Sequence, residues 1–354
     1  WGAKHLQQAE MATWTAMAIA MLIAAVLCVP VLVFPQALAG LFGLDTQTTA
    51  LAASFIFWLG IFNVFSAINM MLSTALRATG DVITPLWYLL GSSILNVTFA
   101  YLLAYGHAGL PEMGVAGVGL GGGFAGAVVT CLFAAGWWRG KFTLKAVKRW
   151  VIDWPATRQL LRIATPSMLE QGFVQISFLA FFAIVAQYGT NAYAAYGIGI
   201  SLVSFSIVVG FGFGIAAATL VGQQLGAGNS DMAIAAGWRA LRMAVVAMTI
   251  FSIVMAINAG ELAAFMIDDR EVIWLTEVFI YMIAVCQPVM AVVHTLAGAL
   301  RGAGDTRFPL LATMAGIVFG RLIPAVIFLW LGLSIYWIFS VMLIDYIIKA
   351  AVLI

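Results

Sequence analysis

The sequence predicts an all-α membrane protein, a polytopic bundle of about ten helices arranged as two homologous lobes. Three observations support this prediction: the scarcity of charge, the length of the apolar stretches and an internal repeat. Hydrophobic residues make up 64% of the 354 residues and charged residues only 8%, whereas a soluble domain carries about 25% charged residues. Most of the chain is therefore expected to face lipid rather than water.

Ten apolar stretches are long enough to cross a bilayer, which takes about 20 residues in helical form. Several of them exceed that length, which allows the helices to tilt. The predicted spans are residues 11–33, 51–76, 83–105, 114–138, 160–187, 192–222, 232–258, 272–300, 307–331 and 334–354.

The positions of the basic residues predict the orientation of these spans. Thirteen of the 16 Lys and Arg residues lie in the first ten residues, in loops that follow even-numbered spans, or near the start of the span after such a loop. Arg270 lies in a loop on the other side, and Arg321 and Lys349 lie inside spans. Because Lys and Arg concentrate in cytoplasmic loops, the first side is predicted to be cytoplasmic.

A motif at the end of the second span recurs 224 residues further along the chain. Residues 75–81 read Ala-Leu-Arg-Ala-Thr-Gly-Asp, and residues 299–305 read Ala-Leu-Arg-Gly-Ala-Gly-Asp. The Arg suits a helix C-terminus, the Gly can adopt the positive φ of a helix stop, and the Asp can cap the next helix. We interpret each copy as a capped turn between helices, with a gating role as the alternative.

The repeat divides the chain into an N-terminal lobe, a linker and a C-terminal lobe. The N-terminal lobe, residues 1–138, contains four predicted spans, and the C-terminal lobe, residues 159–354, contains six. Residues 139–158 form a basic linker that is predicted to be cytoplasmic. By the offset, the intact protein is expected to have 6 + 6 helices, with two preceding residue 2 and the last one truncated here.

Three stretches resemble the multidrug and toxic compound extrusion (MATE) family. They are the motif Leu-Arg-x-x-Gly-Asp-x-x-x-Pro at 76–85 and 300–309, the loop Val-Gly-Gln-Gln-Leu-Gly-Ala-Gly-Asn at 221–229, and Thr165-Pro166 opening the fifth span. The resemblance implies a cation-coupled antiporter, driven by Na⁺ or H⁺, that exports diverse organic or cationic drugs by alternating access between the lobes. It also implies a monomer in the lipid bilayer of a bacterial inner membrane, without a cofactor beyond the coupling ion and without nucleic acid.

Two other functions stay open at this point. A flippase for a lipid-linked precursor would share the 6 + 6 helices, but its cleft would need several Arg and Lys side chains for a diphosphate. Only Arg321 and Lys349 lie deep within spans. An intramembrane enzyme would need a nucleophile or a metal cluster, and Cys28, Cys131 and Cys286 stand alone without metal-ligand spacing. The preferred prediction is therefore that the protein is not an enzyme.

Ionisable residues inside spans are functional candidates, because a charge in hydrocarbon is costly. Glu170 and Asp345 are predicted to bind the coupling ion, a proton or, at Glu170, Na⁺. Pro166 frees backbone groups one turn before Glu170. Arg321 is expected to pair with Glu170 or Asp345, and Lys349 follows Asp345 at the spacing of a helical ion pair. The alternative for Glu170 is a static buried ion pair with Arg321.

Polar residues inside the spans are candidates for lining the substrate cleft. Stripes of this kind also arise from hydrogen bonding between helices, and a single intramembrane histidine is more often a satisfied polar residue than a proton relay. The candidates are Asn63, Asn69, Gln171, Gln175, Gln287 and His294.

The glycines at 117, 119 and 122 match the spacing of a dinucleotide-binding loop. No predicted strand precedes them and no acidic residue follows about 20 residues later, so that function is rejected. Gly126 continues the series at a spacing of four from Gly122. The pattern therefore predicts close packing between membrane helices.

Overall fold

The computed structural model describes residues 2–41, 45–143 and 154–354, without the side chain of residue 156. Within these residues the chain forms helices joined by short loops. The helices are α1 (Leu6–Val33), α2 (Pro35–Gly40), α3 (Thr46–Thr79), α4 (Ile83–Tyr105), α5 (Gly114–Trp138), α6 (Trp154–Ala186), α7 (Thr190–Gly226), α8 (Ser230–Ile257), α9 (Ala259–Met266), α10 (Arg270–Gly302), α11 (Arg307–Ala315), α12 (Ile323–Trp330) and α13 (Ile335–Leu353). A π-helical segment, Gly316–Leu322, joins α11 to α12.

The predicted all-α membrane fold is confirmed. In the described part of the chain, ten helices are long and apolar enough to cross a membrane, with Arg307–Trp330 counted as one. Large apolar side chains such as Leu22, Phe265 and Trp330 are exposed at the surface, as expected for helices that face lipid. The chain is therefore a multi-pass membrane protein.

The internal repeat is visible in the helix boundaries. The offset of 224 residues links the first residue of α1, Leu6, with the first residue of α8, Ser230, and the last residues, Val33 with Ile257. The same offset places α3 on α10 and α4 on the span Arg307–Trp330. The two halves therefore use the same order of helices, as the repeated motif predicted.

The turns of the repeat have the predicted caps. Gly80 and Gly304 take left-handed φ values of 94° and 87°. Asp81 accepts a hydrogen bond from the Thr84 amide at 3.0 Å, and Asp305 accepts from the Arg307 amide at 3.0 Å. These carboxylates satisfy amides that the first turn of a helix leaves free. The predicted capped turn between helices is confirmed in both copies.

Acidic caps also begin the repeated long helices. The apolar pattern predicted a span over 51–76, which is shorter than α3. Asp45 accepts hydrogen bonds from the Gln47 and Thr48 amides, and Asp269 caps α10 in the same way. The Thr48 side-chain hydrogen bond, followed by the Thr48 amide, lowers the pKa of Asp45 below its ordinary value. The cap starts α3 at Thr46, several residues before the apolar stretch that predicted the span.

The chain divides into two compact units, a first unit Ala3–Leu160 and a second unit Leu161–Ile354. Helix α6 begins at Trp154, so residues 154–158, predicted as linker, already belong to a helix. Residues 144–153, the middle of the predicted linker, lie outside the described residues. Its predicted exposure and cytoplasmic position stay predictions.

In the first unit, α5 packs against both α3 and α4. A Cβ atom on Gly117 would lie 2.5 Å from the Leu103 carbonyl oxygen, and one on Gly121 would lie 2.5 Å from the Ala100 amide nitrogen. The glycines therefore let α5 touch the backbone of α4. The predicted close helix packing is confirmed at Gly117 but not at Gly126, where a Cβ atom would have no neighbour within 4 Å.

In the second unit, α10 is the central helix and contacts α7, α8 and α13. Its approach to α7 is close: a Cβ atom on Gly298 would lie 2.1 Å from the Gly214 carbonyl oxygen. An aromatic cluster of Phe181, Tyr196, Phe279 and Phe339 fills one end of the unit, each less than 2% exposed. This packing holds α6, α10 and α13 around the ionisable residues predicted from the sequence.

Candidate functional site

All four ionisable candidates lie in the second unit, on three different elements. Glu170 is on α6, Arg321 is in the π-helical segment, and Asp345 and Lys349 are on α13. Each is buried, with 0% to 6% of the residue exposed. Buried charges require partners, and the structure shows them in two groups.

The first group is an ion pair between Glu170 and Arg301. One guanidinium nitrogen, Nη2 of Arg301, donates to both carboxylate oxygens of Glu170, at 2.7 Å and 2.8 Å. The Thr313 hydroxyl donates to Oε1 of the same carboxylate at 2.9 Å. Glu170 thus connects α6 with α10 and α11. The expectation that Arg321 could be the partner of Glu170 is wrong, because Arg301 occupies both oxygens.

The second group places Asp345 between two cations. Arg321 forms an ion pair with Oδ2 of Asp345 through Nη2. Lys349 Nζ lies 3.0 Å from Oδ2 and 2.8 Å from Oδ1. The alternative partner that the sequence offered for Arg321 is therefore the correct one. The helical pair between Asp345 and Lys349 is confirmed.

The π-helical segment and its glycines bring Arg321 to Asp345. A Cβ atom on Gly320 would lie 2.5 Å from Cα of Asp345, and one on Gly316 would lie 2.5 Å from Oδ1 of Asp345. Only hydrogen atoms fit at these two positions, so the segment lies directly against α13. π-Helical turns inside α-helices occur frequently at functional sites, and this one carries the buried Arg321.

Replacing Gly320 with alanine should separate the π-helical segment from α13. The added methyl group meets backbone atoms of Asp345 that cannot rotate away, so we expect a loss of about 1–3 kcal/mol in the free energy of unfolding. Thermal unfolding in detergent micelles measures this loss. Gly212→Ala is the matched control, since a Cβ atom there would have no neighbour within 4 Å. Equal stability of the two variants would contradict the packing described here.

A cavity of about 240 Å³ lies beside both ion-pair groups in the second unit. It is lined from α6 by Glu170, Gln171, Val174, Gln175 and Phe178, which recur at the three- and four-residue spacing of one helix face. Arg301, Thr313, Arg321 and Lys349 line it from the other elements. The cavity therefore connects the two groups of charges.

Three of the predicted polar residues line this cavity. Gln171 and Gln175 are exposed and contribute to its α6 side. His294 lines it from α10, and its Nε2 atom is buried without a hydrogen-bond partner in the described residues. Gln287 lies elsewhere: it is fully buried and donates a hydrogen bond to the Ser206 hydroxyl.

The two amides predicted in the first unit occupy different environments. Asn69 accepts a hydrogen bond from the Ser73 hydroxyl at 3.1 Å, within α3 itself. Asn63 is exposed. The Asn69 bond stays within a single helix, although the sequence suggested bonding between helices as one interpretation of this stripe.

The described residues contain no cluster of three or more His, Cys, Asp or Glu side chains that could hold a metal ion. A sodium ion bound at Glu170 would lie next to the Arg301 guanidinium, which donates to both carboxylate oxygens. The carboxylate would then hold two cations side by side.

Sequence reasoning did not identify Arg301 and Thr313 as partners of Glu170. Arg301 was assigned to the end of its helix, a role that its position near the end of α10 also fits. Its bond to Glu170 joins residues 131 positions apart. Nothing in the sequence pattern indicated this pairing, because Arg301 lies just beyond the predicted span 272–300.

Comparison with known proteins places these features in a family. The family model described as MatE matches residues 1–102 and 166–327. A relative from Thermotoga maritima, named "Probable multidrug resistance protein NorM", is 29% identical over 280 residues, which is 77% of this chain and 59% of the relative. This chain thus spans about three fifths of the length of that relative.

Solved structures share the fold at low sequence identity. A MOP superfamily transporter from Pyrococcus furiosus superposes with a TM-score of 0.93 at 16% identity, over 99% of this chain and 78% of that one. A MATE transporter of Vibrio cholerae, VcmN, gives a TM-score of 0.89 at 18% identity, over 99% and 79%. Because the family model covers most of the sequence and the helices follow the same architecture, the chain belongs to the MatE family.

Proposed function

We propose that the intact protein exports organic solutes in exchange for protons and that Glu170 takes up the coupling proton. The name of the Thermotoga maritima relative supports export of drugs. The observation that carries the proposal is the ion pair between Glu170 and Arg301. In this pair, the charge of a buried carboxylate is balanced by Arg301, whose side chain is more exposed to water.

The exposure of the two partners supports this role. The Glu170 side chain is 8% exposed and the Arg301 side chain 29%. When a proton neutralises Glu170, the charge-assisted hydrogen bonds from Arg301 weaken. Arg301 can then turn toward water, where a guanidinium is well solvated, whereas Glu170 stays buried as a neutral acid. Protonation therefore avoids leaving an uncompensated charge inside the unit.

Protonation would act on three helices at once. Glu170 on α6 is connected to Arg301 on α10 and to Thr313 on α11. A neutral acid can keep its bond to a hydroxyl but not the ion pair, so the tie between α6 and α10 is the one that loosens. We propose that this change favours one of two conformations, in which the lobes open alternately to either side of a bacterial inner membrane.

A sodium ion fits this mechanism less well. It would compete with the Arg301 guanidinium for the same two oxygens, and the two cations would repel each other at close range in a low-dielectric interior. The solutes are expected to be diverse organic or cationic compounds, carried by a monomer.

The proposal predicts which gradient drives export by the full-length protein. Purified protein in sealed lipid vesicles, loaded with ethidium as an organic cation, should release the dye when a proton gradient is imposed. A sodium gradient of the same size at constant pH should give the rate of protein-free vesicles. A protonophore should abolish release, because it removes the driving gradient.

The opposite pattern would overturn the assignment of the coupling ion. Release driven by sodium at constant pH, and insensitive to the protonophore, would show that a proton is not the coupling ion. Release under neither gradient, by protein shown to be folded, would count against drug export itself.

A further inference from the structure

The cavity of the second unit carries more positive than negative charge. Arg301, Arg321 and Lys349 line it, and their ion-pair partners in the described residues are two carboxylates, Glu170 and Asp345. Glu170 balances Arg301, while Asp345 is shared between Arg321 and Lys349. One positive charge therefore lacks a counter-charge, with His294 taken as neutral.

This surplus charge is buried. Arg321 is 4% exposed and Lys349 is 6% exposed, so water outside the unit compensates neither cation. The ring centroids of Phe178 and Phe181 lie 5.8 Å and 6.0 Å from the Arg321 guanidinium carbon. Aromatic faces attract cations, but they carry no net charge. An uncompensated buried charge destabilises a protein strongly, and an anion bound beside these cations would remove that cost.

Two buried nitrogen atoms beside the cavity are unpaired, and one of them, Nε of Arg321, is a donor. Nε of Arg321 and Nε2 of His294 have no hydrogen-bond partner in the described residues, and both residues line the cavity. Lys349 can donate three hydrogen bonds, and the structure pairs it with a single residue, Asp345. The site thus combines positive charge with free donors, as an anion requires.

We propose that this cavity binds a monovalent anion, held mainly by Arg321 and Lys349. Its volume of about 240 Å³ is several times the share of one water molecule in the liquid, about 30 Å³. The cavity has room for a hydrated chloride ion, or for a small organic acid whose apolar part contacts Phe178. Both kinds of ligand, a free inorganic ion and an organic acid, carry one negative charge. The inference goes beyond the proposed function, because the site needs no transport step.

Anion binding to the folded state should raise its thermal stability. Full-length protein in micelles is unfolded by heat in a low-salt zwitterionic buffer, with added sodium benzoate, sodium chloride or neutral benzamide. Benzoate should raise the unfolding temperature and benzamide should not. Chloride that raises it and displaces labelled benzoate would identify the free inorganic ion as the occupant instead of a carboxylate.

Matched variants locate the effect at the cavity. Lys349→Met removes the surplus charge and keeps an unbranched side chain. It should unfold at a higher temperature than the native protein in the anion-free buffer, and bind benzoate about tenfold or more weakly. Lys349→Arg should restore binding. Arg242→Gln, which removes an exposed charge in the same unit, should respond to anions as the native protein does.

Two results would overturn the proposal. One is an equal response to benzoate in native protein and Lys349→Met, which would indicate a general salt effect. The other is equal stabilisation by benzoate and benzamide, which would show that charge is irrelevant. Since the readout is stability, either result is independent of whether Glu170 couples export to protons.

Discussion

Replacing Glu170 with glutamine should reduce proton-driven dye export to the rate of protein-free vesicles while leaving the protein folded. Glutamine has the same shape, and its carbonyl oxygen can still accept from Arg301 or Thr313, which both donate to this position. It cannot gain or lose a proton, so the switch between the paired and the neutral state disappears. Export in vesicles, at equal amounts of folded protein, measures the loss.

Glu277→Gln is the matched control for this experiment. Glu277 lies on α10 in the same unit and accepts a hydrogen bond from Tyr281 at 2.7 Å, apart from the cavity. Its replacement should leave export unchanged. Native rates in Glu170→Gln would show that the Glu170–Arg301 ion pair is a static structural contact; the sequence had offered such a static role for Glu170, but with Arg321 as its partner.

Replacing Asp345 with leucine should lower the free energy of unfolding by about 3–5 kcal/mol, because it leaves Arg321 and Lys349 as buried cations without a partner. Asp345 is fully buried, so water cannot replace its carboxylate. Thermal and denaturant unfolding in micelles measure the change. Asp268→Leu, at an exposed acid in the same unit, should change stability by about 0.5 kcal/mol or less.

Removing the cations together with Asp345 separates charge from packing. A variant with Arg321→Met, Asp345→Leu and Lys349→Met has no charge at this place, and buried ion networks can often be replaced by apolar residues at little cost. We expect it to recover most of the stability that Asp345→Leu loses. A triple variant as unstable as the single one would mean that the shape of the three side chains, rather than their charge balance, holds α13 in position.

The helices were predictable because their causes are local. An apolar stretch of the right length crosses the bilayer wherever it occurs, and the repeat transfers the assignment of each helix from one half to the other. Boundaries were less accurate where a polar cap extends a helix beyond its apolar stretch, as Asp45 does for α3. The π-helical segment at Gly316–Leu322 leaves no mark in the apolar pattern, since it changes the hydrogen bonding and not the composition.

The candidate site was predictable in its members but only partly in its pairing. The cost of charge in a membrane singled out Glu170, Arg321, Asp345 and Lys349 from the sequence alone, and the pair formed by the last two follows from helical spacing. That Arg301, and not Arg321, pairs with Glu170 depends on how α6, α10 and the π-helical segment pack. The sequence by itself determined which charges must find partners inside the membrane, because the free-energy cost of a charge in hydrocarbon depends on the single residue that carries it. Only the tertiary structure decided which partners they find and that one positive charge remains, because pairing depends on distances between helices that lie far apart along the chain.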